Sequence, residues 1–229
     1  YPEMLEKVMN TSMIKKKKKK NKVEFELINL RDFGEGKHQI VDGKPYGGGV
    51  GMLFRADILK KALQSITSYW TAVHHGVILT SASGTPYKQK DAQRLSKMKH
   101  LVIVCGHYEG VDQRFIEKYV DEEISIGDYV LTGGEIPAMI IADSIVRLIP
   151  GVLNKPESAA NESFSNYTLY PKPFTLLEYP QYTKPEKWAG KNVPKILLSG
   201  NHQKVDEWRE EQALKKTKKL RPDLLIQKD

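Results

Sequence analysis

One cysteine, Cys105, in 229 residues leaves no partner for an internal disulfide. That single thiol and six scattered histidines offer no ligand spacing for a structural zinc site, so no metal-binding residues are assigned. Cys105 closes the apolar run Leu101-Val102-Ile103-Val104-Cys105, where a thiol reads as a buried strand residue rather than a nucleophile. No apolar run approaches the roughly 20 residues that span a bilayer. The start, Tyr1-Pro2-Glu3-Met4, lacks the basic-then-apolar order of a secretory signal, so the cytoplasm is the default location and no membrane partner is expected. An initiator methionine is missing too, which points to absent upstream residues. No Gly-Lys-Ser/Thr follows a glycine-rich loop, which excludes a P-loop, and no Gly-x-Gly-x-x-Gly opens a helix after the first strand-like segment, which argues against a nucleotide-binding Rossmann protein.

What is present is positive charge. A formal net charge of +8 and a pI near 9.3 favour a polyanionic partner. Twelve Lys or Arg against seven Asp or Glu in residues 183–229 put +5 of that charge in the last fifth of the chain. The run of lysines at 15–20 reads as a solvated segment. With 40% hydrophobic and 28% charged residues, the chain has enough apolar surface for one ordinary domain and a smaller one.

Periodicity orders the elements. Val23, Phe25 and Leu27, with Ile28 and Leu30, alternate like a strand. Residues 42–52 form a glycine-rich loop. Ile58, Leu59, Ala62, Leu63 and Ile66 give helical spacing over 55–69. Short buried strands are predicted at 76–80 and 101–105, and helices at 90–99, 111–119 and 138–149. Strands alternating with helices imply a mainly parallel α/β sheet, with ligands in loops at the strands' carboxyl ends. Three such loops, 80–86, 105–110 and 125–135, can share one rim. The third is the richest. Ser125-Ile126-Gly127-Asp128-Tyr129-Val130-Leu131-Thr132-Gly133-Gly134-Glu135-Ile136-Pro137 carries three glycines, which suit sharp turns or a close approach to a ligand, and Pro137 suits the start of a helix. Residues 154–182 read as an interdomain linker between a domain at 1–153 and a basic helical domain at 183–229. The last contains a helix over 205–219 and is a candidate nucleic-acid clamp.

Tyr46-Gly-Gly-Gly-x-Gly-Met52, Cys105-Gly-x-Tyr-Glu-Gly110, Ser125-Ile-Gly-Asp-Tyr-Val-Leu-x-Gly-Gly-Glu-x-Pro-Ala138, Ile149-Pro-Gly-Val-Leu153 and Leu198-Ser-Gly-Asn-His202 occur in one order along nearly the whole chain. Together they resemble the bacterial tRNA (guanine-37-N1)-methyltransferases of the TrmD type. The resemblance implies a SPOUT fold: an α/β domain with a parallel sheet and a deep C-terminal trefoil knot, then a small helical domain, working as a homodimer on tRNA. It implies S-adenosylmethionine as methyl donor, held by Gly106 and the backbone of Ile126, Gly127, Asp128, Tyr129, Val130 and Leu131, then Gly133 and Gly134, with Ser81 and Glu109 as neighbours. Magnesium is implied as well.

The same resemblance puts the general base at Glu162 in Asn161-Glu162-Ser163-Phe164, where the family pattern usually has Asp, and an electrostatic role at Arg147. Glu178 corresponds to a carboxylate that orients the guanines, although residues 166–174 look inserted. Asp42, Gly51 and Arg31 fall near the expected RNA, and Lys215, Lys216, Lys218 and Lys219 would contact phosphates. His107 stands where Arg is usual, and Ala82 where Pro is usual. Two other readings remain open at this point: a SPOUT methyltransferase for another RNA position, separated by mapping the methylated nucleotide, and a non-catalytic RNA-binding relative, which would give no heat on titration with S-adenosylmethionine.

Overall fold

A computed structural model describes residues 1–9, 22–67, 75–107, 109–152, 162–164 and 175–226. The lysine run at 15–20, Tyr108 and most of the expected linker lie outside them. Two compact units emerge, Tyr1–Val152 and Leu153–Asp229.

In the first unit the elements are α1 (Pro2–Met9), β1 (Asp42–Gly43), β2 (Leu53–Phe54), α2 (Ala56–Thr67), β3 (His75–Pro86), α3 (Gln89–Leu95), β4 (His100–Cys105), α4 (Gln113–Tyr119), β5 (Glu122–Ser125) and α5 (Glu135–Val146). The main sheet has order β4-β3-β5 and is parallel throughout. Central β3 is buried from Gly76 to Thr80, as expected of a parallel strand covered on both faces. Its side chains divide by the two-residue period of a strand. Val77 and Leu79 pack with Ile58, Leu59 and Leu63 of α2 and Phe115 of α4. Ile78 faces Leu95 of α3, Ile124 of β5, and Ile141 and Ile145 of α5. Helix α5 is apolar on two sides, since Ala142 and Val146 pack with Met9 and Val152.

Polar ties fix the edges. The Arg94 guanidinium donates twice to the Glu122 carboxylate at 2.6 Å. The Asp121 carboxylate accepts from the Val77 amide at 2.7 Å, and the Tyr87 and Ser144 hydroxyls share a hydrogen bond of 2.7 Å.

Two expectations change. Residues 23–29 form no strand, although Val23 and Phe25 pack against the Met9 cluster; their alternation reflects burial of one face without a ladder partner. Strand β3 runs past Thr80 through the predicted first loop. Thr80 and Thr85 both fall opposite Ile124, so residues 81–84 form an irregularity between two stretches of pairing with β5. Gly84 allows this. A Cβ there would stand 2.6 Å from both the Glu123 carbonyl carbon and the Ile124 nitrogen.

The second unit contains a hairpin of β6 (Lys187–Trp188) and β7 (Lys191–Asn192) and the long helix α6 (His202–Leu220). Ala189 and Gly190 at the hairpin tip both have positive φ, 47° and 77°, as a tight two-residue turn requires. Asn201 caps α6 by accepting from the Lys204 amide at 3.1 Å. Thr217, fully buried, donates to the Ala213 carbonyl and accepts from the Leu177 amide at 2.9 Å, which anchors the incoming segment.

Candidate functional site

The rim lies at the carboxyl ends of β3, β4 and β5. The Gly134 amide donates to the Gly106 carbonyl at 2.6 Å, and His107 pairs with Gly133 as an isolated antiparallel bridge. The loop after β4 is thereby stitched to the loop before α5. Only glycine fits at 134: its φ of −84° suits any residue, but a Cβ would collide with the Thr80 hydroxyl and stand 2.6 Å from the Gly106 nitrogen.

The loop from 126 to 132 closes on itself near its base. Ser125 Oγ accepts from the Gly127 amide at 3.2 Å and donates to the Gly127 carbonyl at 3.0 Å. The Tyr129 hydroxyl donates to the Ile126 carbonyl at 3.3 Å. Beyond that base the loop is open: Asp128 is exposed, and Val130 is 85% exposed despite its apolar side chain. Tyr129 and Leu131 are exposed as well, beside the glycines. Such a surface can hold a flat, polar-edged ligand through backbone hydrogen bonds.

Polar burial points to the same place. The three buried polar side chains among the described residues of the first unit are Thr80, ahead of the β3 irregularity, Ser125, at the end of β5, and Glu135, in the first turn of α5. Thr80 and the burial of Glu135 escaped the sequence reading; the only signal was a polar residue at the end of an apolar strand and a carboxylate in the first helical turn. Neighbouring Cys105 is no nucleophile. Burial, reinforced by the Glu135 carboxylate, pushes its thiol up to about 12, so it is neutral near pH 7.

The remaining residues fall into separate places. Ser81 lies within β3, and its hydroxyl pairs with that of Ser83 at 2.8 Å. Glu109 is exposed, and its amide donates to the Met52 carbonyl at 3.0 Å. The Phe54 amide donates to the Gly110 carbonyl at 2.9 Å, and Gly51 lies against the Glu109 side chain. The glycine-rich loop that carries Gly51 therefore meets the loop that carries Glu109. Asp42 pairs opposite Phe54 in the β1–β2 ladder. Arg31 sits in the 3-10 turn Leu30–Phe33. Arg147 ends α5, its amide donating to the Asp143 carbonyl at 3.2 Å.

Glu162 and Glu178 belong to the second unit, where their segments run together. The Glu178 amide donates to Ser163 Oγ at 3.1 Å, and the Phe164 amide donates to the Leu176 carbonyl at 3.3 Å. Of the four lysines of α6 expected to meet phosphates, Lys215 pairs with Glu211 at 2.7 Å, while Lys218 and Lys219 are exposed in the last turn. Among the described residues no group of three His, Cys, Asp or Glu side chains could hold a metal ion, and no helix is long and apolar enough to cross a membrane.

An α/β protein with a glycine-lined, backbone-rich cradle at the carboxyl ends of a parallel sheet is the class that fold and site define. Its family follows from comparison: the model of the tRNA (Guanine-1)-methyltransferase TrmD family matches residues 1–227, and the chain belongs to that family. A tRNA (guanine-N(1)-)-methyltransferase of Dictyoglomus turgidum is 50% identical over 225 residues, covering 98% of this chain and 86% of its own length. The proteins of that name from Bacillus subtilis and Listeria monocytogenes are each 46% identical, over 98% of this chain and 89% of theirs. A methyltransferase family implies a methyl donor.

Proposed function

We propose that this chain transfers a methyl group from S-adenosylmethionine to N1 of guanine 37 in tRNA, acting as a cytoplasmic homodimer. The observation that carries the reading is the whole-chain family match together with a rim whose fit to the donor can be judged from its own residues. A nucleoside and an amino-acid chain need a surface that approaches closely and offers main-chain donors and acceptors. Gly134, where a Cβ would fill the space beside Gly106, and the exposed residues 128–132 are consistent with one.

In this reading residues 1–153 form the knotted SPOUT domain, and residues 183–229 bind tRNA beyond the linker at 154–182. Gly106, Gly133, Gly134 and the backbone from 126 to 131 hold the donor, with Ser81 and Glu109 beside it. When bound, S-adenosylmethionine supplies an electrophilic methyl on a sulfonium sulfur. Glu162 would take the N1 proton of guanine onto its carboxylate, which leaves on N1 the electron pair that methyl transfer needs. Arg147 stabilises negative charge that develops on the guanine oxygen. Glu178, Asp42 and Gly51 position the guanines. A bond between the segments of Glu162 and Glu178 supports their acting in one place. An anticodon-loop base is already splayed enough to be read on its edges. Magnesium belongs to the reading through the family resemblance alone.

The test is methylation of an unmodified tRNA transcript with guanine at positions 36 and 37, beside one changed at 36, with magnesium present and the product mapped by mass spectrometry. Methyl on N1 of guanine 37 in the first transcript is expected. Methyl at another nucleotide, or none on either transcript from a folded protein, overturns the reading.

A further inference from the structure

We propose that Thr80 is the positioning residue that clasps the end of β4 to the residue before α5, so that its hydroxyl controls affinity for the methyl donor without touching it. This rests on the reading of that cradle as the S-adenosylmethionine site.

Thr80 is a junction. It pairs with Cys105 of β4 on one side and Ile124 of β5 on the other, immediately before the β3 irregularity. It is 5% exposed. Its hydroxyl accepts from the Gly106 amide at 3.4 Å and directs its proton toward two carbonyls, Val104 at 3.2 Å and Gly134 at 3.4 Å. A hydroxyl has one proton and two lone pairs, so the two carbonyls share the donor and no single bond is strong. The effect is in the wiring. One side chain reaches the last strand residues of β4, the first residue of the loop after it, and the residue before α5. The Gly134 amide returns to the Gly106 carbonyl at 2.6 Å, which closes a ring through Thr80, Gly106 and Gly134.

The ring explains why position 134 admits no side chain: the space a Cβ would take is occupied by the Thr80 hydroxyl. It also assigns a purpose to the one polar side chain in the buried stretch from Gly76 to Thr80. Burying a hydroxyl there is costly unless its hydrogen bonds are made, and here they are made to backbone groups of β4 and of the loops proposed to hold the donor. Substitution by valine keeps the shape but turns a methyl toward one amide and two carbonyls, which are then left without that partner. The loops would remain and their spacing would relax.

The experiment compares the full chain with Thr80→Val, Thr80→Ala and Thr80→Ser, reading S-adenosylmethionine Kd by titration calorimetry and the separate KM values for donor and tRNA. Valine and alanine are expected to raise the donor Kd and KM by about tenfold, the effect of removing one hydrogen-bonding group, with the tRNA KM unchanged. Serine, which restores the hydroxyl, is expected within about twofold of the parent, since small shifts of a retained hydrogen bond cost little. Donor affinity unchanged in the alanine variant overturns the clasp, as does an equal weakening in the serine variant, which would assign the effect to the methyl group. If the parent chain itself binds no S-adenosylmethionine, the reading of the site fails instead. The alanine variant removes bulk rather than adding it, so it keeps the test usable if valine disturbs folding.

Discussion

The amide of Gly134 and the carbonyl of Gly106 are 2.6 Å apart, and they join two loops separated by almost thirty residues of intervening chain. Their approach leaves no room for a Cβ at 134. The Gly134→Ala substitution therefore meets the Gly106 nitrogen and the Cys105 carbonyl carbon, 2.6 and 2.9 Å from the new atom, neither of which can rotate away. Overpacking of this kind costs about 1–3 kcal/mol. Thermal unfolding should show that destabilisation, and calorimetry should show S-adenosylmethionine binding weakened more than tenfold, roughly the effect of opening a preformed site. A variant with parental donor affinity would dissociate this hydrogen bond from ligand binding.

Glu162→Gln keeps the shape of the side chain and removes its basicity. Single-turnover methylation of tRNA should fall by about 10²–10⁴, the usual worth of general base catalysis, while the donor Kd stays unchanged. Near-parental turnover would assign proton removal to another group.

The partly buried Cys105 thiol yields a pH dependence with a definite sign. Its pKa is raised from 9.0 to about 12 in the folded chain, so the folded state holds the proton more tightly than the unfolded one. This contribution to stability is complete below pH 9 and is lost as pH rises toward 12. Denaturant midpoints measured from about pH 8 to about pH 11 should decline more steeply in the parent than in Cys105→Ala. The native thiol should react slowly with iodoacetamide near pH 8 and faster after unfolding; rapid native labelling would contradict its raised pKa.

Three lysines of α6 carry the last prediction. Lys215 is engaged with Glu211, so Lys216, Lys218 and Lys219 are the better candidates to meet phosphates. Their joint replacement by alanine should weaken tRNA binding, reduce the salt dependence by about one in log–log slope for each phosphate no longer neutralised, and leave donor affinity alone. Unchanged salt dependence would remove this helix from the RNA-binding surface.

Much of the first unit was readable in advance. Helix α2 follows from apolar residues three and four apart, and its observed span Ala56–Thr67 differs from 55–69 by ends that periodicity does not resolve. Helix α5 starts at Glu135, three residues earlier than the apolar pattern suggested, because Gly134 and the buried Glu135 belong to its first turn rather than to the loop. Strand-like alternation at 23–29 misled: one buried face is necessary for a half-buried strand, yet a strand also needs a neighbour to bond, and none pairs with this segment in the described residues.

Local chemistry was enough to mark the parallel α/β elements, the glycine-bearing strand ends and the family, since hydrophobic period, turn residues and motif order are properties of neighbouring positions. It could not show that β3 continues to Pro86, that Thr80 and Thr85 both meet Ile124, or that the Thr80 hydroxyl lies between Gly106 and Gly134. Those facts depend on which distant backbone groups find each other when the sheet assembles, and no local period records such pairing.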